Sequence, residues 1–297
     1  MNKTQYTVKE IGISYDRQHY QRIEQYILQL QKLYLSAINE AATIVEGIVA
    51  SPAVPFAFEN FPKAQRKVDS IINLLNAQMY SHIREMSRQE WLASSFKNDQ
   101  IVEFMSQATK LSSEQLSRFK SRNLEALKAF QERKINGLGL SDRVWNYSRQ
   151  FKGELELGID IALGEGRSAA QLSRDLRQYL QNPDKLFRRV KDKHGILHLS
   201  KNAQKYHPGP GVYRSSYKNA MRLTRTEINM AYRVADYEKY QQLDFVTGIE
   251  IIRSNRFFNC PVCESKKGKY PKSFRFIGWH PQCRCHALPM VASFLLT

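Results

Sequence analysis

Cys260-Pro-Val-Cys263 and, after sixteen intervening residues, His280-Pro-Gln-Cys283-Arg-Cys285-His286 gather every cysteine of the 297-residue chain near its C-terminus. Two close pairs of soft donors separated by a loop are what one chain needs to surround a tetrahedral zinc ion, because each tight turn aims two side chains at a common point. Cys260 and Cys263 form the first pair. His280 with Cys283 or Cys285 forms the second. Cys283 matches the spacing of the first pair, Cys285 is the alternative fourth ligand, and His286 is a spare donor. Four protein ligands close the shell and leave no position for a catalytic water. The cofactor expected here is therefore a structural Zn2+ that supplies folding energy to a segment with little core of its own. Free thiols or a disulfide of the Cys260–Cys283 type are the alternatives. Two matched pairs, in a chain whose start MNKTQYTVKEIGISYD lacks a signal-peptide pattern, favour metal. Lys266, Lys267 and Lys269 lie in the intervening loop, where ammonium groups would offset thiolate charge.

The elements that position this module are mostly helical. From Asp16, the apolar residues Ile23, Tyr26, Ile27, Leu30, Leu33, Tyr34, Ala37, Ile38 and Ala41 recur at three- and four-residue steps, one face of a long amphipathic helix. It stops near Gly47, ahead of Ser51-Pro52-Ala53-Val54-Pro55. Between Pro62 and Gly137 there is neither proline nor glycine, and apolar stripes predict one helix around 71–91 and another around 116–130. Ser141 is the expected N-cap of a helix carrying Val144, Trp145, Ser148, Phe151, Leu155 and Ile159, which ends at Gly164-Glu165-Gly166. Ser168 caps the next, which stops at Asn182-Pro183. Trp91 and Trp145 are expected as core anchors. Gly195 to Leu199 reads as a short strand, Tyr217 to Leu243 as a helix, and the β-branched run Val246–Ile252 as a strand entering the cysteine module. The predicted class is α+β and predominantly α-helical. A helical N-terminal region (1–139) precedes a small mixed domain (140–297) with the Cys/His module at 253–291.

The net charge of +17 is unevenly spread. Window 184–226 carries 11 basic residues against 2 acidic, and 251–297 carries 8 against 1, so these two windows hold nearly the whole excess. Such concentration points to a polyanion, with Arg188, Arg189, Lys191, Lys193, Lys266 and Lys267 as nucleic-acid contacts and Tyr206, Tyr213, Tyr217 and Phe274 as stacking residues. A solubilising surface or an acidic protein partner is the plainer reading. No apolar run approaches the ~20 residues a membrane span requires, so no membrane partner is expected.

Arg225-Thr226-Glu227 at a helix start, Asn229 and Ala231 on that helix, and a strand leading into the CxxC precede Gly268-Lys-Tyr-Pro271 and His280-Pro-Gln-Cys283-Arg-Cys285. This pattern resembles the phage Mu protein F-like, or phage head morphogenesis, family of minor capsid proteins. The resemblance is most specific over 215–290. It reaches more loosely to Gly166-x-Ser168 and the helix after it, and the N-terminal half is not diagnostic. The resemblance implies a minor head protein made with portal and capsid genes of a phage or prophage. It implies portal or major capsid protein as partner and double-stranded DNA as a further one, without a small-molecule substrate or catalytic residues. Expected locations are the host cytoplasm during assembly and then the head interior or portal vertex. One departure is Asn255, where many relatives carry an aspartate. The end at 293–297 is abrupt beside relatives that often carry further C-terminal domains, so the resemblance leads one to expect a short form or a fragment.

Arg225 and Glu227 are two residues apart and do not share a helix face, so as structural ion-pairing residues each is expected to tie a different neighbour, bridging this helix to the zinc module. Competing functions are a nucleic-acid binder and a nuclease using His194, His198 or His207 with Arg225 and Glu227. Those histidines lack metal-ligand or catalytic spacing, which favours a structural protein over an enzyme.

Overall fold

The apolar stripe read from Asp16 starts earlier in the computed structural model, which describes residues 3–48, 56–107, 111–183, 188–191, 193–199, 211–254 and 259–292. Helix α1 spans Lys3–Ala42. Thr4, Val8, Gly12 and Asp16 are all buried and extend the same face toward the N-terminus, but three of them are small or polar, so hydropathy does not reveal the stripe. After a 3₁₀ turn at Phe58–Asn60, α2 runs from Pro62 to Ser106, with proline at the first helical position where its missing N–H costs nothing.

Short helices α3 (Ser113–Phe119) and α4 (Leu124–Glu132) follow, then α5 (Leu140–Gly164) and α6 (Ala169–Gln181). Ser168 caps α6 as expected, its Oγ accepting from Gln171 N at 3.3 Å. The cap of α5 is Gly139 and not Ser141: the Asp142 carboxylate accepts from Gly139 N at 2.9 Å, which places the start two residues earlier. Strands β1 (Arg188–Lys191) and β2 (Leu197–Leu199) pair antiparallel. Helix α7 covers Ser216–Gln242 and β3 covers Val246–Ile252. A one-turn helix α8 (Pro261–Ser265), β4 (Gly268–Pro271) and β5 (His286–Val291) complete the described chain. The chain is thus α+β and predominantly helical, with a three-stranded antiparallel sheet of order β4-β3-β5. In its central strand, a Cβ on Gly248 would lie 2.7 Å from the Tyr270 carbonyl oxygen and 2.6 Å from Met290 Cε, so only glycine fits there. No helix among the described residues is long and apolar enough to cross a membrane.

The compact units do not follow the linear division at 139/140. One comprises Met1–Ile27, Ile83–Arg133 and Leu223–Thr297, and the other Leu28–His82 and Lys134–Arg222. Three long helices each contribute residues to both, which a reading along the chain cannot anticipate.

In the second unit, Leu30, Tyr34 and Ile38 of α1, Val68, Ile72 and Leu75 of α2, Phe151 and Leu155 of α5 and Leu176 of α6 are buried. The carboxylate of Glu154, on α5, accepts from Ser216 N (2.6 Å) and Ser216 Oγ (2.7 Å), satisfying orphan donors at the start of α7. Trp145 is not a core anchor. It is 38% exposed, because it stands one residue, about 100°, round the helix from Val144 on the Val144–Ser148–Phe151–Leu155 stripe. Trp91, in the first unit, is fully buried against Leu127, Phe130, Ala231 and Val234, and its Nε1 donates to the Arg122 carbonyl at 2.8 Å.

Candidate metal centre

Two turns carry the donors. Cys260 precedes α8 and Cys263 lies within it, with Glu264 N donating to the Cys260 carbonyl at 3.0 Å. The second turn is His280-Pro281-Gln282-Cys283, closed by Cys283 N donating to the His280 carbonyl at 3.1 Å. Proline at its second position and φ +63° at Gln282 give it the pattern of a type II turn, with glutamine where glycine is usual.

All four cysteines are free thiols, and the donor atoms converge. Those of Cys260, Cys263 and His280 lie within 4.8 Å of one another, as do those of Cys263, Cys283 and Cys285. His280 Nε2 is 3.3 Å from Cys260 Sγ and 3.2 Å from Cys263 Sγ, and Cys263 Sγ is 3.8 Å from Cys283 Sγ. A tetrahedral site with metal–sulfur bonds of about 2.3 Å and metal–nitrogen bonds of about 2.0–2.1 Å has S···S edges of about 3.8 Å and S···N edges of about 3.6 Å. These separations fit a metal ion, and the cluster can hold one. His280 Nδ1 is 2.8 Å from the Pro281 carbonyl, which assigns the proton to Nδ1 and leaves the Nε2 lone pair facing the sulfurs.

Cys283 is held down to about 5 by a hydrogen bond from the Cys285 thiol and by the N–H groups of Cys285 and Trp279, against the effect of burial. Cys285 is pushed up by the same shared hydrogen bond and by its burial. A cavity of about 160 Å³ borders the cluster, lined by Cys260, Cys263, His280 and Cys285 and flanked by Arg253 and Arg284. Guanidinium groups, in place of the loop lysines, are therefore the cations beside the sulfurs. Lys267 is paired with Glu264, and Lys266 Nζ stands 5.4 Å from the centroid of the Trp279 ring.

Helix α7 grips the second turn along one face. Arg225 Nη1 donates to Gln282 Oε1 (3.1 Å), Thr226 Oγ1 accepts from Gln282 N (3.3 Å), Asn229 Nδ2 donates to the Cys283 carbonyl (3.2 Å), and Arg233 Nη2 donates to the Cys285 carbonyl (2.9 Å). Positions 225, 229 and 233 are one helical turn apart, so one stripe follows the segment. Arg225 also pairs with Glu24 at 2.7 Å. Glu227 pairs instead with Arg133 at 2.8 Å, so of the two residues only Arg225 bridges helix and metal segment through these contacts.

Beneath the donors lies a charged cluster that sequence patterns did not reveal. Asp16, Lys97, Arg233 and Asp236 are all buried, with Arg233–Asp16 at 2.9 Å, Lys97–Asp236 at 2.6 Å and Lys97–Asp16 at 3.4 Å. His286 Nδ1 lies 2.9 Å from Asp16 Oδ2, and His286 belongs to neither group of converging donors. His19 stacks on Tyr232 and places Nδ1 2.7 Å from Glu90 and Nε2 3.1 Å from Asn229 Oδ1. The available signal was a set of charges inside apolar stripes: Lys97 between Trp91 and Ile101, and Arg233 and Asp236 among Ala231, Val234 and Ala235.

The six basic residues expected at nucleic acid are divided between the compact units. Arg188, Arg189 and Lys191 lie on β1, where only the backbone is described, and Lys193 is exposed beside it. Lys266 and Lys267 are exposed in the metal module. Of the stacking residues, Tyr217 is buried and cannot reach a base, Tyr213 is exposed beneath the Arg222 guanidinium, and Phe274 stacks on Tyr270 at 4.5 Å. His194 is exposed, the His198 side chain is outside the described residues, and Tyr206, His207 and Asn255 lie outside them too. Compared with protein-family models, curated proteins and solved structures, the chain matches none.

Proposed function

We propose that this chain is a structural minor head protein of a phage or prophage, acting in head assembly near the portal. Its C-terminal segment is then organised by Zn2+ on Cys260, Cys263, His280 and Cys283. The observation that supports the reading is that the residues carrying the family resemblance touch one another. Arg225, Thr226 and Asn229 each reach Gln282 or Cys283. A signature whose members hold one turn in place fits a structural centre. Cysteine-rich Cys₃His donors suit zinc. Cys283 is preferred as fourth ligand because its sulfur is one tetrahedral edge from Cys263. Arg225 and Glu227, which the nuclease alternative would combine with a histidine, are both engaged in ion pairs.

The test is co-expression with portal and major capsid proteins. Co-purification with either supports the assembly role, and a chain that purifies alone from cells making both removes it. Duplex DNA is tested separately by binding across a salt series. Each lysine lost from the set Lys266, Lys267 and Lys269 should lower the salt slope by about one if it contacts phosphate. An unchanged slope in all three variants excludes this surface from DNA contact.

A further inference from the structure

The strand after the metal turn runs along one face of α1, and the contacts follow one order. Gln5 Oε1 accepts from Val291 N at 2.9 Å, and its Nε2 donates to the Pro289 carbonyl at 3.1 Å. Gly12 meets Leu288 so closely that a Cβ would stand 2.6 Å from Leu288 Cδ2. Asp16 meets His286, Tyr20 Oη donates to the Cys285 carbonyl at 3.0 Å, and Glu24 pairs with Arg284. Numbers rise along the helix while they fall along the strand, so one stripe of α1 is matched to residues 284–291. The last three pairs fall on the metal segment, two of them on the residues flanking Cys285.

We propose that Asp16, Tyr20 and Glu24 are positioning residues of the metal centre, so that α1 sets the affinity of a site formed near the other end of the chain. The inference rests on reading the cluster as a metal site. A donor sulfur is aimed by its backbone, and apolar packing around Cys283 and Cys285 fixes burial without fixing direction, which hydrogen bonds and ion pairs at 282–286 can do. Its anchors are polar: the Cys285 carbonyl accepts from both Tyr20 and Arg233, and Asp16 joins Arg233 to His286. Glu24 joins Arg225, which holds Gln282, to Arg284. Every residue from 282 to 286 is thus tied, directly or through α7, to a partner outside the turn. Outer partners of this kind typically change metal affinity 10- to 100-fold. Linkage makes the effect reciprocal: if docked α1 strengthens metal binding, bound metal strengthens α1 docking by the same factor.

The experiment uses the full chain loaded with Zn2+ and titrated against a chromophoric chelator. Tyr20→Phe and Glu24→Gln, singly and combined, remove anchors while keeping side-chain volume. Trp91→Phe, which loses a core hydrogen bond away from the metal segment, controls for general loss of stability. The expected result is at least tenfold weaker Zn2+ binding in the double variant and wild-type affinity in Trp91→Phe. Chelating the wild type should also speed amide exchange in residues 3–27 while leaving 169–181 unchanged. Unchanged affinity in the double variant, equal weakening in Trp91→Phe, or unaltered exchange in 3–27 would each overturn the proposal while the wild type still carries one zinc. A wild type that binds no zinc overturns the metal reading itself, and the proposal with it.

Discussion

Asp16 Oδ2 lies 2.9 Å from His286 Nδ1, joining positions 270 apart in the chain inside a fully buried cluster. The same carboxylate binds Arg233 and Lys97, so one acidic residue of α1 organises two cations and the residue that follows the last cysteine. Buried ions are costly unless paired, and here the cost is offset by four mutual contacts.

Lys97→Met should therefore destabilise the protein by about 3–5 kcal/mol, because it leaves Asp16 and Asp236 short of a counter-charge in a dry site. Urea denaturation is the measurement. Lys97→Met combined with Asp236→Leu should recover part of the loss, since removing both partners leaves less uncompensated charge.

Replacing Cys260, Cys263 or His280 should abolish stoichiometric zinc binding, read by elemental analysis and by the visible spectrum of the Co2+ form. Cys283→Ser should do the same, and Cys285→Ser should keep a bound ion. The reverse pattern would assign the fourth ligand to Cys285.

Two buried acids respond to pH in opposite senses. Burial works to raise Glu90, but hydrogen bonds from Arg22 and His19 bring it down to about 2. A depressed carboxyl stabilises the fold above its unfolded value near 4.5, and that contribution is lost as pH falls toward 2. Glu154 is raised to about 8 by burial, despite the donors from Ser216. Its contribution is complete below about 4.5 and is lost as pH rises to about 8. Glu154→Gln should flatten the decline of melting temperature over that upper window. An identical decline in variant and wild type would exclude Glu154 as its source.

Arg225→Ala should cost about 1 kcal/mol, since its pair with Glu24 is partly exposed and its bond to Gln282 is neutral at one end. Arg133→Ala should cost more, about 2 kcal/mol, because it strips a partner from the buried Glu227 carboxylate. The decisive comparison is zinc content: Arg225→Ala should bind zinc less tightly than Arg133→Ala, although it is the milder change to the fold.

Gly12→Ala tests the close approach of α1 to β5. Alanine gains about 1 kcal/mol in helix propensity, but its Cβ would have to displace the fully buried Leu288 side chain, an overpacking that costs about 1–3 kcal/mol. Net loss of stability is expected, and Leu288→Ala should rescue the clash in the double variant.

The sequence by itself determined what is local. The donor pairs, the Ser168 cap, the Val246–Ile252 strand and the helical stripes of α5 and α7 depend on spacing and on residues within a few turns, where periodicity and capping act. It also determined that the donors would be soft and paired. What it could not show is which distant residues meet. Gly12, Asp16 and Lys97 look like interruptions of apolar faces, and only their partners in β5 and α7 give them a place. The division into two units and the turning of His286 toward Asp16 were likewise decided by tertiary structure, whereas the exposure of Trp145 follows from its phase on the helix. For the buried polar groups the physical reason is shared: whether such a group can be buried depends on a partner brought near by folding, and chain spacing carries no record of that partner.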